Sequence, residues 1–399
     1  MKEKNTLGLY IHIPFCKHKC DYCDFYSLAN SEEKMDAYVE ALLRHLEEVA
    51  PRTAAQAVDT VYFGGGTPSY LGEKRLTRLL KTIWKRYHVT ADAEITLECN
   101  PDSAGDEKAL RGLRRAGFNR LSLGVQAMDD GLLAAVGRIH CVQQVKTAVT
   151  AARKAGFANI SLDLIYGLPG QTMEQWQETL AAAAALAPDH MSCYGLKVEE
   201  GTPLWEKQST LSLPDDDAQA DMYLYTVEEL ARQGYEQYEI SNFARPGYES
   251  RHNLRYWRQQ EYAGFGPGAH SDMGGVRFAY EKDLDRYIAG DLRLSEHEEI
   301  DPLERDMETI MLSLRTTEGL DLREYVYRFR QKTDVMEKLF AEYEAHGLAR
   351  RTQTGWRLTP RGFYVSNSII ISLQEAVAQG KQRCAEAAAR GDYRIENLY

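Results

Sequence analysis

The chain has 399 residues, 44% of them hydrophobic and 27% charged, with a formal net charge of −11. That length exceeds one compact core and predicts two domains, and the acidic balance excludes a general nucleic-acid binder. No apolar run approaches the roughly 20 residues that a membrane span needs, and the short polar start, Met1 to Thr6, does not read as a secretory signal; a cytoplasmic protein is expected.

The first predicted strand, Gly8–Ile13, runs into Cys16, Cys20 and Cys23, spaced CxxxCxxC. Soft thiolate donors favour iron–sulfur or zinc over hard cations, and a reducing compartment suits them. Three ligands with no fourth cysteine nearby can hold three irons of a 4Fe–4S cubane. The remaining iron then stays open to a small molecule, here read as S-adenosylmethionine (SAM). A Cys3His zinc site using His18 or His12 is the alternative at this point, although zinc sites commonly show two ligand pairs and no second CxxC follows. Cys99, Cys141, Cys193 and Cys384 are scattered and read as inert thiols.

Further β-rich runs follow at Thr60–Phe63, Glu94–Glu98, Arg120–Gly124, Asn159–Ile165 and His190–Tyr194. Helical stretches separate them: Glu33–Val49, Glu73–Tyr87, Asp106–Ala116, Val142–Lys154 and Met173–Leu186. Leu42, Leu43, Leu46 and Val49 make one apolar helical face. Repeated βα units predict an α/β fold with a parallel sheet covered by helices. Six units predict a partial (βα)6 TIM-like barrel, with the chemistry at the C-terminal ends of its strands. Those ends carry chemically unusual residues: the cysteine run, Gly64-Gly65-Gly66-Thr67-Pro68, Glu98-Cys99-Asn100-Pro101, Gly124-Val125-Gln126, Asp163 with Gly167-Leu168-Pro169-Gly170, and Glu199-Glu200-Gly201-Thr202-Pro203.

Beyond residue 240 the pattern changes. Tyr238–Ala244 predicts another strand, followed by His252-Asn253-Leu254-Arg255-Tyr256-Trp257 and a glycine-rich turn from Gly264 to His270. Helices are expected at Glu304–Arg315, Leu322–Arg330 and Val335–Glu344, then a hairpin at Gly355–Thr359. That order predicts a smaller, mainly helical, winged-helix-like C-terminal domain that packs as a lid. The expected division is 1–240 for the core barrel, 241–300 for an extension, 301–372 for the C-terminal domain and 373–399 for a helical tail.

Taken together, LYIHIPFC at Leu9–Cys16, CDYCDFYS at Cys20–Ser27, GGGTPS, ECNPD, SLGVQ, DLIYGLPGQT and the C-terminal pattern resemble the radical SAM superfamily. Within it they resemble the oxygen-independent coproporphyrinogen III oxidase-like family and its haem-chaperone branch, over nearly the whole chain. The resemblance implies a 4Fe–4S cluster on Cys16, Cys20 and Cys23, and reductive SAM cleavage as the shared chemistry. It also implies SAM contacts at Tyr10, Tyr22, Gly65, Gly66, Thr67, Glu98, Gln126, Arg138 and Asp163. The backbone amides of the glycine motif would approach the methionine part, Arg138 would fork onto a carboxylate, and Asp163 would suit a ribose diol. Lone Glu94 and His12 are expected to be structural.

Two readings compete within the family. The oxidase carries a fourth cysteine two positions after the third ligand, where this chain has Phe25, and a longer N-terminal segment than the 15 residues before Cys16. Both differences point away from decarboxylation. The HNxxYW run at His252–Trp257 matches the chaperone branch, which implies haem b held through His252, with Tyr256 and Trp257 offering flat faces; His270 is a second candidate. The implied partners are haem and haem-acceptor proteins, with no nucleic acid. A homodimer and peripheral membrane contact are further expectations.

Overall fold

In the computed structural model, which describes residues 6–301 and 305–389, strand residues of the first half alternate between an apolar and a polar face. Two units emerge: Met1–Glu236 with Ser241–Arg255 and Gln260–Glu299, and Gln237–Ile240 with Tyr256–Gln259 and Ile300–Tyr399.

The first unit is built on β1 (Thr6–Ile13), β2 (Ala57–Gly65), β3 (His88–Cys99), β4 (Arg120–Gln126), β5 (Asn159–Tyr166) and β6 (His190–Gly195). Later strands are β7 (Asn242–Ala244), β8 (Tyr262–Phe265), β9 (His270–Met273), β10 (Val276–Tyr280) and β11 (Leu294–Glu299). They run in the order β11-β10-β9-β8-β1-β2-β3-β4-β5-β6-β7. From β8 through β6 every neighbour is parallel. The strands beyond β8 on one side, and β7 on the other, are antiparallel. The expected partial barrel is therefore present, widened by a seventh parallel strand.

That seventh strand, β8, takes in Gly264, the start of the expected glycine-rich turn, and the turn itself runs from Gly266 to Ala269. The glycines there serve close packing. A Cβ on Gly264 would come within 2.1 Å of the His270 carbonyl oxygen, and one on Gly266, at φ +106°, within 2.6 Å of the His12 carbonyl. The expected strand Tyr238–Ala244 is shorter, with β7 starting at Asn242.

The helix-covered face carries Leu7, Leu9, Ile11, Ile13, Val61, Phe63, Ile95, Leu97, Leu121, Leu123, Val125, Ile160, Leu162 and Leu164, each at most 1% exposed. Burying each contributes about 1.5–3 kcal/mol. Helices Met35–Val49, Glu73–Arg86, Glu107–Ala116 and Val142–Ala155 pack side by side over it. Asp106 caps the third by accepting from the Lys108 and Ala109 amides, at 2.8 and 3.2 Å. Helices Asp130–Ala135, Asp216–Arg232 and Arg251–Trp257 were not foreseen. The opposite face, the barrel interior, is polar: Tyr10 and His12 from β1, Thr60 and Tyr62 from β2, Glu94, Thr96 and Glu98 from β3, Arg120 and Ser122 from β4, Ser161 and Asp163 from β5, His190 and Ser192 from β6.

The second unit has helices Asp306–Ser313, Leu322–Phe329 and Asp334–Ala345. A three-stranded sheet of Leu320–Asp321, Gly355–Leu358 and Ala349–Arg351 follows. Trp356, 1% exposed, stacks on Phe340 with ring centroids 5.4 Å apart. This is the expected helices-plus-wing order. Glu304, assigned to the first helix, lies outside the described residues, as does the end of the tail; Ser366–Ala389 is helical, and the side chain of Cys384 is not among those described. No helix among the described residues is long and apolar enough to cross a membrane.

Candidate functional site

The C-terminal ends of the parallel strands form one mouth, and the cysteine run lies across it. Phe15–Cys16 pairs with Leu28–Ala29, which closes the run into a loop. Opposite parts of the mouth strap that loop down. The Asp21 amide donates to the Val136 carbonyl at 3.2 Å, the Leu204 amide donates to the Asp21 carbonyl at 2.8 Å, and Lys207 Nζ pairs with Asp21 Oδ2 at 2.9 Å. Tyr22 packs on a small apolar cluster of Ala127, Leu132, Leu133, Val136, Ile165 and Leu168.

The three thiols sit close enough to perturb one another. Burial raises Cys16 and pushes Cys23 up to about 11, so their thiolate forms need a cation to stabilise them. Thr67 Oγ1 donates to Cys16 Sγ at 3.5 Å, and the buried guanidinium of Arg138 donates to Cys20 Sγ at 3.4 Å. Among the described residues, no three His, Cys, Asp or Glu side chains converge as a single-ion site requires. A cubane spreads its thiolates over separate irons, so this donor set fits a cluster better than a zinc ion. A Cβ on Gly66 would meet the Phe15 carbonyl at 2.8 Å, the Ile13 carbonyl at 2.9 Å and Cys16 Sγ at 3.1 Å. Only glycine lets the β2 end pass under the cysteine loop.

The amides of the glycine motif are not free for a ligand. Gly65 N–H donates to Glu98 Oε2 (3.2 Å), Gly66 N–H to the Ile13 carbonyl (2.8 Å) and Thr67 N–H to the Phe15 carbonyl (2.8 Å). In this structure the three amides expected to approach a bound methionine donate to acceptors within the protein. The motif offers close approach and holds Glu98. Tyr62 Oη donates to Glu98 Oε1 at 2.7 Å, and burial lifts this carboxyl to about 7, with Asp163 adding to the rise. A carboxyl whose pKa is lifted this far by burial in a cleft makes Glu98 a candidate functional residue.

Arg138 Nη2 also donates to Asn100 Oδ1 (3.0 Å) and the Gly124 carbonyl (2.5 Å), while its buried Nε has no acceptor. Gln126 sits at φ +66°, a left-handed conformation that costs a non-glycine residue about 1–2 kcal/mol and persists where surroundings enforce it. Asp163 accepts from Ser122 at 3.0 Å, Ser161 at 3.3 Å and Ser192 at 2.9 Å; burial raises its pKa and these hydroxyls oppose the rise. Tyr10 Oη lies 3.1 Å from His12 Nδ1. Tyr10, the glycine motif, Glu98, Gln126, Arg138 and Asp163 thus lie on β1 to β5 or the loops that follow them, and of these Thr67 and Arg138 donate to cysteine sulfurs. Sequence reasoning missed Tyr62, Arg120 and the three serines. Their signal was period-2 alternation within strands, as in Glu94-Thr96-Glu98.

His252 is placed elsewhere. It lies on the Arg251–Trp257 helix, 1% exposed, at the opposite, N-terminal end of the barrel. Glu94 holds this helix start, accepting from the Arg251 and His252 amides at 3.0 Å each. Arg255 pairs with Asp59 and donates to the Glu261 carbonyl at 2.9 Å. The His252 ring has Nδ1 2.9 Å from Thr60 Oγ1 and stacks on Tyr62 at 5.1 Å; burial lowers its pKa to about 3. At 1% exposure the ring cannot meet a haem iron unless the residues around it move. His270, by contrast, follows the C-terminal end of β8, on the mouth side, and its side chain is 48% exposed.

A model of the Radical SAM superfamily matches residues 10–183, and one of the HemN C-terminal domain matches residues 300–365. A Bacillus subtilis (strain 168) protein named heme chaperone HemW is 36% identical over 368 residues, spanning 90% of this chain and 97% of that protein. The Escherichia coli (strain K12) protein of the same name is 36% identical, spanning 93% and 98%. The solved structure of Escherichia coli coproporphyrinogen III oxidase (HemN), described as a radical SAM enzyme, superposes with a TM-score of 0.81 at 26% identity, covering 93% of this chain and 90% of its own.

Proposed function

We propose, because the chain belongs to the radical SAM superfamily and within it to the family of the heme chaperone HemW, that it binds haem b and passes it to acceptor proteins, using a barrel mouth that holds a 4Fe–4S cluster and SAM. The observation that carries this reading is one mouth that bears three thiols on a single loop, the Arg138 guanidinium donating to one of them and the Glu98 carboxyl, in a chain 36% identical to such chaperones over nine-tenths of its length.

Cys16, Cys20 and Cys23 would hold the cluster, and Arg138 would offset its negative charge. When bound, the cluster supplies a low-potential electron to a sulfonium cofactor. The remaining groups suit SAM in kind. Glu98 would accept from an ammonium or a hydroxyl, Asp163 would suit a diol, and the Arg138 guanidinium, whose Nε has no acceptor, would suit a carboxylate. Gly65 and Gly66 allow close approach; Thr67, Tyr10, Tyr22 and Gln126 complete the wall.

For haem iron, the more accessible of the two candidate imidazoles is His270. Haem titration followed in the Soret band tests this: His270→Ala weakens binding and His252→Ala leaves it unchanged. The reverse result returns the ligand to His252. The oxidase reading is less supported, since the chaperone relatives are more similar than the solved oxidase and Phe25 replaces its additional cysteine. Formation of protoporphyrinogen from coproporphyrinogen III by the reconstituted protein would reverse that ranking.

A further inference from the structure

A column of side chains joins the two ends of the barrel. At its lower end is the His252 imidazole, fixed by Thr60 at 2.9 Å. The Tyr62 ring lies on it, with centroids 5.1 Å apart and planes inclined by 22°. Tyr62 also stacks against Tyr10, at 6.3 Å and 27°. The Tyr62 hydroxyl then reaches Glu98 Oε1 at 2.7 Å, and Glu98 Oε2 takes the Gly65 amide at 3.2 Å. One ring contact and one hydrogen bond therefore separate an enclosed histidine from the carboxyl at the mouth.

Thr60, Tyr62 and Gly64 point inward from the same strand. A Cβ on Gly64 would come within 2.9 Å of the Tyr62 ring and 3.2 Å of the Glu98 carboxyl. Glycine at 64 thus leaves space for the Tyr62–Glu98 pair, and His252 closes that space from below. Truncating His252 would leave a void against one face of Tyr62, whose ring could then sink and draw its hydroxyl from Glu98.

We propose that His252 is a positioning residue for the mouth: it backs Tyr62 so that the Tyr62 hydroxyl fixes Glu98 in the orientation that SAM meets. This rests on the assignment of SAM to the mouth. It gives the HNxxYW helix a task distinct from holding haem, and the position of Glu94 explains how the helix is aimed, since the carboxylate receives its first two amides.

The test uses the full chain, reconstituted anaerobically, with SAM affinity measured by calorimetry and haem affinity by Soret titration. His252→Ala and Tyr62→Phe are each expected to weaken SAM binding about tenfold, the equivalent of one hydrogen bond to a charged group. His252→Phe, which keeps a flat face under Tyr62, stays within about threefold of wild type on the same scale. The double variant His252→Ala/Tyr62→Phe binds SAM no more weakly than Tyr62→Phe alone, because one residue acts through the other. Haem affinity is unchanged throughout.

The inference is overturned if His252→Ala binds SAM as wild type does, if the two losses multiply, or if haem affinity falls while SAM affinity holds. Where His252→Ala does not fold, His252→Val, which fills part of the space without a flat face, takes its place: SAM binding weaker than in His252→Phe supports the column, and equal binding refutes it. A wild type that does not bind SAM removes the SAM assignment itself, and the inference with it.

Discussion

Replacing Glu98 by Gln should make the protein more stable at alkaline pH while impairing the site. In the folded chain this carboxyl is raised from 4.5 to about 7, chiefly by burial. The unfolded carboxyl therefore releases its proton earlier, and between those values the folded state binds more protons than the unfolded one. Stability then falls as pH rises through that window, and the full cost stands above pH 7. A shift of about 2.5 units at about 1.4 kcal/mol per unit gives about 3.4 kcal/mol. Near pH 5 the same linkage gives a cost of only about 0.8 kcal/mol, so the pH-dependent gain of Glu98→Gln from there to about pH 8.5 is about 2.5 kcal/mol. The amide oxygen can serve the Tyr62 hydroxyl or the Gly65 amide at lower strength, a loss of about 1–2 kcal/mol at every pH. Urea unfolding of the metal-free wild type and variant at the two pH values isolates the carboxyl, because all other titrations are shared. A difference between the proteins that does not change with pH, or that favours wild type more at the higher pH, would refute the reasoning.

Other consequences follow from buried groups. Arg138→Met removes the cation beside Cys20 and strands the Asn100 and Gly124 acceptors, so the reconstituted cluster should be harder to reduce; potentiometry followed by EPR reads the downward shift, which Arg138→Lys should partly restore. Burial lowers His12 and His140 to about 4 and His45 and His252 to about 3. Each contributes stability that is present above 6.5 and lost as pH falls, about 2 kcal/mol near pH 5, so denaturation midpoints should drop steeply on acidification. Trp176→Phe deletes the indole donor to Thr226 Oγ1 at 2.9 Å in a fully buried position and should cost about 1–3 kcal/mol in urea unfolding, with SAM affinity untouched.

The parts of the molecule legible in its sequence are those with local signatures. The cysteine spacing, the glycine motif and the polar strand ends announced the mouth, because chemistry there needs particular residue types at short separations. The parallel strands were visible as apolar runs, since their helix-covered face is uniformly Leu, Ile, Val and Phe. β8 was hidden because Gly264 reads with the glycine-rich turn that follows it, and only its packing against the His270 carbonyl reveals why a strand carries it. The interior layer was hidden for another reason. Thr60, Glu94 and His252 are far apart in sequence, and their meeting depends on strand register and on a seven-residue helix too short for a periodic signal. His252 stood out as an imidazole in a distinctive motif, yet burial gives it protein partners at the end of the barrel away from the mouth.

The central claim is that three thiols leave one corner of a cluster open to SAM. EPR of the reduced, reconstituted protein before and after SAM addition tests it most directly. The account predicts a changed spectrum on adding SAM, and loss of the cluster signal when Cys16, Cys20 and Cys23 are all replaced by Ser. An identical spectrum with and without SAM, or a signal that survives the triple replacement, would contradict it.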